Sequence, residues 1–288
     1  MKEYSYWLDT INKDFLIEND LPKKTDVLIV GSGYTGLNAA IEIAKNGRNV
    51  CVIDKNDFGC GCSSKNGGQI SNLLKPSLKK LTKKYGFQKA KLIRGEGVNS
   101  VEWLIDFIKS ENFDCDLKRE GRFHGAHTPF EFKKMVSESN DLKENEGIET
   151  QIIDKSDQKN EINSDLYHGG VVFPQHASLN AAKYHKDLIE KAIGLGVSVI
   201  SNCEMVDFKK KLDEFSVLTN KGPLTASNLV VATNGYTSNV TPWLNKRNIP
   251  IGSYVIATEE LPINYISSLF PTNRHITDTC RVVYYFRP

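Results

Sequence analysis

Three glycines, Gly31, Gly33 and Gly36, stand in the spacing G-x-G-x-x-G, and an acid, Asp54, follows 18 residues after the last of them. That combination has a chemistry. The first glycine permits a tight turn, the second lets backbone approach a pyrophosphate, and the third lets a helix pack closely on a strand. The helix opening there offers unpaired N–H groups and the positive end of its dipole to phosphate oxygens. Asp54 would accept hydrogen bonds from an adenosine ribose. Tyr34 and Thr35, inside the glycine pattern, and Lys55, beside the acid, fall within the same candidate site. The pattern alone does not choose between NAD and FAD.

A second polar segment, Ser63-Ser64-Lys65-Asn66-Gly67-Gly68-Gln69, follows closely. Its hydroxyls and N–H groups could bind phosphate or the polar edge of a flavin; taken alone it reads as a flexible surface loop. Other candidates carry less. Cys60-Gly61-Cys62 has no second pair and no nearby histidine, so no metal site is expected. His124 and His127 point to opposite faces if they lie on a strand. His168, His176, His185 and His275 stand isolated and read as structural or surface histidines. Lys75 to Arg94 holds eight basic residues and no acid. Leu78, Leu81 and Tyr85 nevertheless form an apolar helix face there, which leaves Lys79, Lys80, Lys83 and Lys84 to solvent. Trp103 and Trp243 are expected in the core.

The elements that must position these groups follow from periodicity. Asp26–Val30 reads as a buried strand, Leu37–Lys45 as a helix closed by Gly47, and Val50–Ile53 as a second strand ending at Asp54. The chain thus opens with a β-α-β unit, preceded by a polar arm over 1–24 with aromatic anchors Tyr4, Tyr6 and Trp7. Helices are expected near 76–85, 87–110, 130–146 and 181–193. Strand-like pieces fall at 121–127, 167–173 and 197–200, a β-meander at 205–232, and further strands at 254–258 and 281–286. No internal repeat or low-complexity segment occurs.

Composition sets the outer limits. The 288 residues are 40% apolar, enough to bury a sizeable core. Lys plus Arg number 37 against 35 Asp plus Glu, a net charge of +2, which argues against a nucleic-acid partner. Six scattered cysteines are too few for a disulfide scaffold and fit a reducing compartment. No apolar run approaches the ~20 residues of a membrane span. With no secretory h-region at the N-terminus, a cytoplasmic protein is expected.

Against this background the run VLIVGSGYTGLNAAIEIAKNGRNVCVIDKNDFGCGCSSKNGGQIS resembles the amino-terminal signature of the D-amino-acid oxidase family of FAD-dependent oxidoreductases. The resemblance continues through CDLKREGRFHGAHT, AAKYHKDL before GLGV, LVVATNGYT and IPIGSYVIATEEL, in the family's order. It is greatest to the branch that oxidises gamma-glutamylputrescine. The resemblance implies FAD as cofactor, with Gly31, Gly33 and Gly36 at the pyrophosphate and Asp54 at the ribose. It puts Ser63, Ser64 and Asn66 near the pyrophosphate and ribityl chain, and Gly67, Gly68 and Gln69 beside the flavin ring. Met205 matches a position whose backbone meets the adenine, and Ala232, Thr233 and Asn234 match a turn that closes over the cofactor. Where many members have His-Pro before the helix at 182–193, this chain has Asn180-Ala181.

The implied reaction is oxidation of an amine or amino acid, a hydride passing to flavin N5 and electrons then to oxygen or another acceptor, so no catalytic side chain need appear. Tyr284, Tyr285 and Arg287 are candidate substrate contacts, the arginine suiting a carboxylate. The expected architecture is α/β, α+β overall. A Rossmann-like FAD-binding domain (1–115 and 177–245) is joined to an antiparallel-sheet substrate domain (116–176 and 246–288). Members continue past the point matching Pro288, so a C-terminally truncated chain is expected, one that binds FAD poorly and turns over no amine. A pyridine-nucleotide dehydrogenase and an inactive nucleotide-binding fragment are the alternatives.

Overall fold

The computed structural model describes residues 4–12 and 20–288. The chain divides into two compact units, Met1–Asn66 with Ala181–Ile256, and Gly67–Asn180 with Ala257–Pro288.

The first unit is built on a six-stranded sheet in the order Ser198–Ile200, Val50–Ile53, Lys24–Val30, Gly222–Val231, Glu214–Thr219, Met205–Lys211. The first four strands run parallel and the last two form antiparallel pairs. Val50–Ile53 is buried at every residue, as its unbroken apolar run requires of a strand covered on both faces. One face carries Leu28, Val30, Cys51, Ile53, Ile200, Met205 and Leu224 in a single cluster. Helices Tyr34–Lys45 and Ala181–Gly194 pack on each other and against the sheet, with Leu37, Ile41, Leu188 and Ile189 at most 1% exposed. These are the positions that helical spacing assigns to a buried face.

The N-terminal arm forms a short helix, Tyr6–Asp9, that buries Leu8. Trp7 Nε1 donates to the Asn66 carbonyl at 2.8 Å, and the arm's residues 13–19 lie outside the described residues. The meander at 205–232 forms with longer strands than expected. Tyr254–Thr258, expected as a strand, has no regular structure, and Tyr254 and Ile256 are exposed. Apolar alternation makes a strand only where a neighbouring strand takes up its backbone hydrogen bonds.

The second unit carries a five-stranded sheet in the order Tyr285–Phe286, His275–Asp278, Arg122–Gly125, Gly170–Phe173, Gln151–Ile153. It is not wholly antiparallel as expected, because His275–Asp278 pairs parallel with Arg122–Gly125. Only Tyr285–Phe286 of the anticipated 281–286 strand pairs. Phe123, Val172, Ile276, Ile162, Tyr167 and Phe270 form one cluster, and Val171, Phe173, Ala126, Met135 and Ile148 another.

Helix Leu78–Tyr85 starts at Ser77, whose side chain accepts from the Lys80 N–H. It ends at Gly86, whose φ of 81° suits glycine alone. Helix Pro129–Glu146 opens with Thr128, whose hydroxyl accepts from the Glu131 N–H, and closes on left-handed Gly147.

The helices Leu78–Tyr85 and Phe87–Ser110 belong to this second unit, not to the nucleotide-binding part where 1–115 would place them. The longer one packs on Pro129–Glu146 and contributes Val98 to the Phe173 cluster. The basic stretch there is mostly solvated as expected, but Arg94 is buried and paired with Glu146 at 2.5 Å. Trp103 and Trp243 are 53% and 64% exposed, not core residues. Trp103 stacks on Phe107, and Trp243 lies against the Arg247 guanidinium.

Candidate functional site

In the first unit the glycine turn sits at the carboxyl end of Lys24–Val30. Gly31 has φ of 107°, and a Cβ there would come within 2.7 Å of the Ala232 carbonyl oxygen. A Cβ on Gly36 would lie 1.9 Å from the Gly31 carbonyl oxygen and 3.3 Å from Ile29 Cγ2. Gly36 is therefore required by close helix–strand packing. On Gly33 a Cβ would meet only the Ser63 hydroxyl, at 3.0 Å. The Gly31 N–H donates to the Ile53 carbonyl at 2.8 Å.

Ser32 is the hinge of this arrangement, with 3% of its surface exposed. Its N–H and hydroxyl donate to Asp54 Oδ2 at 2.9 and 2.7 Å, and its carbonyl accepts from His185 Nε2 at 2.7 Å. Asp54 Oδ1 accepts from the Asn56 N–H at 3.1 Å. Asp54 thus builds the turn before it meets any ligand, a role its spacing does not reveal. Burial pushes the His185 pKa below its usual value, against the pull of its Ser32 bond and Asp54. The neutral imidazole donates to the turn.

Ser63 Oγ accepts from the Tyr34 N–H at 3.0 Å, at the N-terminus of the fingerprint helix. Tyr34 Oη donates to the Ala181 carbonyl and accepts from Asn66 Nδ2. Thr35 is exposed on the helix. Ser64 differs from the expectation: it is fully buried and its hydroxyl donates to the Gly59 carbonyl, so it braces the loop from inside.

These segments surround a cavity of about 140 Å³. Gly31, Gly33, Asp54, Lys55, Ser63, Met205, Ala232, Thr233 and Asn234 all line it. They come from five stretches spread over some two hundred residues of sequence. Cys60, Cys62 and Tyr236 line it too. Cys62 Sγ lies 3.4 Å from Tyr236 Oη, and Lys55 Nζ lies over the Tyr236 ring at 5.8 Å. Tyr236 went unnoticed in the sequence, though it falls inside the LVVATNGYT run. Glycine backbone, a hydroxyl, an acid and a lysine are the donor and acceptor set that suits a ribose and a pyrophosphate.

The remaining candidates lie in the second unit. Gly68 has φ of 66°, and a Cβ there would lie 2.0 Å from the Leu179 carbonyl oxygen. Gln69–Ile70 pairs antiparallel with Ala177–Ser178. Tyr285 packs on Gly67, and Arg287 Nη1 donates to the Leu179 carbonyl at 2.8 Å. Gly67, Gly68, Tyr285 and Arg287 are thereby brought together. Tyr284 is held by its N–H to Asp278 Oδ1 at 3.0 Å, and its side chain is 58% exposed.

Two histidines that read as isolated are neighbours. The His176 and His275 rings stack at 6.5 Å and 10°. Burial, with help from Arg122, pushes His176 down to about 2 and His275 to about 3. No sequence signal links residues so far apart. Among the described residues, His127, Asp278 and Cys280 also gather ligand atoms within 4.8 Å of one another. His127 Nε2 and Asp278 Oδ2 form a pair at 2.8 Å. No helix among the described residues is long and apolar enough to cross a membrane.

The family described as FAD dependent oxidoreductase (DAO) matches residues 26–288. The gamma-glutamylputrescine oxidoreductase of Escherichia coli is 30% identical over 91% of this chain and 61% of its own length. A probable oxidoreductase, OrdL, of Haemophilus influenzae is 26% identical over 98% of this chain and 67% of its own. Among solved structures, the glycine oxidase of Geobacillus kaustophilus superposes with a TM-score of 0.67 at 18% identity, covering 77% of this chain and 59% of that one. The L-amino acid deaminase of Proteus vulgaris gives 0.61 at 21% identity, covering 75% and 48%. These two likenesses carry the fold. The chain spans about three fifths of the length of the E. coli enzyme and of the glycine oxidase.

Proposed function

The chain belongs to the FAD dependent oxidoreductase family, and from that premise we propose that it oxidises a small amine or amino acid, with gamma-glutamylputrescine as the first substrate to try. The observation that carries this is the cavity of the first unit, where the glycine turn, Asp54, Ser63, Met205 and the 232–234 turn converge. When bound, FAD supplies the hydride acceptor and passes the electrons to oxygen or another acceptor.

The chain's own residues bind and orient. Gly31 makes the turn that packs against the Ala232 backbone, and Gly33 would leave its own backbone open to a pyrophosphate. The N-terminus of helix Tyr34–Lys45, which opens at Gly33, would hold the phosphates. Asp54 holds the turn through Ser32 and keeps lone-pair capacity for a ribose hydroxyl. Met205 and Ala232 to Asn234 close the cavity for the adenosine end. In the second unit, Gly67 and Gly68 offer a stretch of backbone without side chains, braced by Tyr285 and Arg287. Arg287 and the two tyrosines remain the proposed substrate contacts. A cytoplasmic setting is part of the same reading, from the sparse cysteines.

The test is to titrate the purified chain with FAD and with NAD, then add gamma-glutamylputrescine anaerobically and follow the flavin absorption. The proposed function requires saturable FAD binding, however weak, and amine-dependent bleaching of the bound flavin. Binding of NAD in preference to FAD would overturn the reading.

A further inference from the structure

The strands Arg122–Gly125 and His275–Asp278 run parallel as neighbours, with Gly125 opposite Asp278. The loops leaving their carboxyl ends therefore emerge side by side, at the end of a parallel pair where open sheets build ligand sites. His127 stands two residues past the first strand and Cys280 two residues past the second. The loops are knitted together. The Thr279 N–H donates to the Gly125 carbonyl at 3.2 Å, and the His127 N–H donates to the Thr279 hydroxyl at 3.1 Å.

An imidazole, a carboxylate and a thiol meet there. His127, Asp278 and Cys280 each bring one ligand atom within 4.8 Å of the others. The carboxylate is aimed by the backbone. Asp278 Oδ1 accepts from the Cys280 and Tyr284 N–H groups at 3.1 and 3.0 Å, which turns Oδ2 to His127 Nε2 at 2.8 Å. Outer bonds of this kind fix the carboxylates that hold metals. Cys280 is a free thiol. The Asp278 side chain is sealed from solvent, but His127 is 19% exposed and Cys280 half-buried, so an ion has a way in.

A second observation comes from outside the cluster. Tyr167 Oη is sealed from solvent and has no hydrogen-bond partner. Its ring meets the His127 ring edge-on at 5.2 Å, and the charges of Asp278 and Cys280 act on the phenol. Buried hydroxyls are hydrogen-bonded as a rule, and a water carried by an ion in the cluster would satisfy this one. Glu131 borders the same space. Its Oε2 accepts from the Thr128 and Thr279 hydroxyls at 3.2 and 2.8 Å, and its charge acts on His127 and Cys280. A plain ion pair accounts for His127 and Asp278, but it gives no role to the thiol beside them or to the unpaired phenol.

We propose that His127, Asp278 and Cys280 form a binding site for a divalent transition-metal ion, zinc foremost, with Glu131 or water as the fourth ligand. Nitrogen, oxygen and sulfur donors together suit zinc, whereas calcium and magnesium take oxygen alone. Zinc at its usual bond lengths holds tetrahedral ligands roughly 3.3–3.7 Å apart, so the His127–Asp278 pair opens by about half an ångström. The ion replaces the proton that this pair shares. Imidazole then carries its proton on Nδ1, Cys280 gives its own to the buffer, and bonds form at Nε2, Oδ2 and Sγ. The site does not depend on the amine-oxidising function proposed above.

The test uses the full chain, stripped with EDTA, as the parent and as C60S/C62S, which removes the two exposed thiols of the first unit. Cobalt(II) is the spectroscopic probe, and zinc is titrated by calorimetry. One equivalent of cobalt should give a thiolate-to-cobalt charge-transfer band in both chains, and one equivalent of zinc should remove it. C280S should lose the band, and C280S and H127N should each bind zinc at least tenfold more weakly. Zinc should raise the melting temperature of the parent and leave that of C280S unmoved. Should C280S or H127N fail to fold, the cobalt spectra of the parent and of C60S/C62S decide. A parent without the charge-transfer band, a band lost in C60S/C62S, or zinc affinity in C280S within twofold of the parent would each overturn the proposal.

Discussion

Replacing Asp54 by alanine separates two roles that a nucleotide fingerprint treats as one. The carboxylate accepts three hydrogen bonds in the protein itself, from the Ser32 N–H and hydroxyl and from the Asn56 N–H. Asp54→Ala leaves the Ser32 N–H orphaned at a residue 3% exposed, which costs about 1–3 kcal/mol. The Ser32 hydroxyl can rotate and the Asn56 N–H lies near solvent, so their lost bonds add about 1 kcal/mol each. The chain without nucleotide should therefore lose about 3–5 kcal/mol of stability. Asp54→Asn keeps the size and one acceptor oxygen and should lose about 1 kcal/mol. Urea unfolding without FAD reads the first effect, and FAD titration reads the second, a further loss of about 1.5–3 kcal/mol for a ribose bond to a charged group. If the ligand-free alanine variant is as stable as the parent within about 0.5 kcal/mol, the carboxylate does not hold the turn. If FAD affinity is unchanged in a folded variant, the ribose assignment fails.

Further outcomes follow from single contacts. Gly36→Ala should destabilise the ligand-free chain by about 3 kcal/mol or more, since the new Cβ would fall 1.9 Å from the Gly31 carbonyl. Gly33→Ala meets only the movable Ser63 hydroxyl, so it should cost under about 1 kcal/mol of stability; thermal melts of the two variants, compared with their FAD titrations, check the contrast. Arg94→Met strands buried Glu146 and should cost about 3–5 kcal/mol in urea unfolding, while adding Glu146→Leu should recover most of it. His124, His176, His185 and His275 are all held below their unfolded pKa, chiefly by burial. The unfolded chain therefore binds more protons below about pH 6.5, and their contribution is full above it and falls as pH drops. Stability measured from pH 7.5 to 5.5 should decline by up to about 1.4 kcal/mol per pH unit for each histidine once below pH 6.5, and a flat profile would refute their neutral burial.

The β-α-β opening was legible because its signals are local. The apolar run 27–30, the glycine spacing, the helical period of Leu37 and Ile41 and the strand at 50–53 each specify their own element, and short-range periodicity is what a sequence carries. The resemblance added the distant cavity residues Met205 and Ala232 to Asn234, which line the same space as the glycine turn.

Packing alone decided the rest. Tyr254–Thr258 alternates like a strand but forms none, while His275–Asp278, unremarkable in sequence, becomes an interior strand through its parallel pairing with Arg122–Gly125. Arg94 left its basic stretch for a buried carboxylate, and Ser64 turned inward while Ser63 faced the cavity. The meeting of His127, Asp278 and Cys280 belongs to this second kind. Burial, pairing and charge compensation depend on which segments become neighbours across a hundred residues or more, and no spacing within one segment encodes that choice.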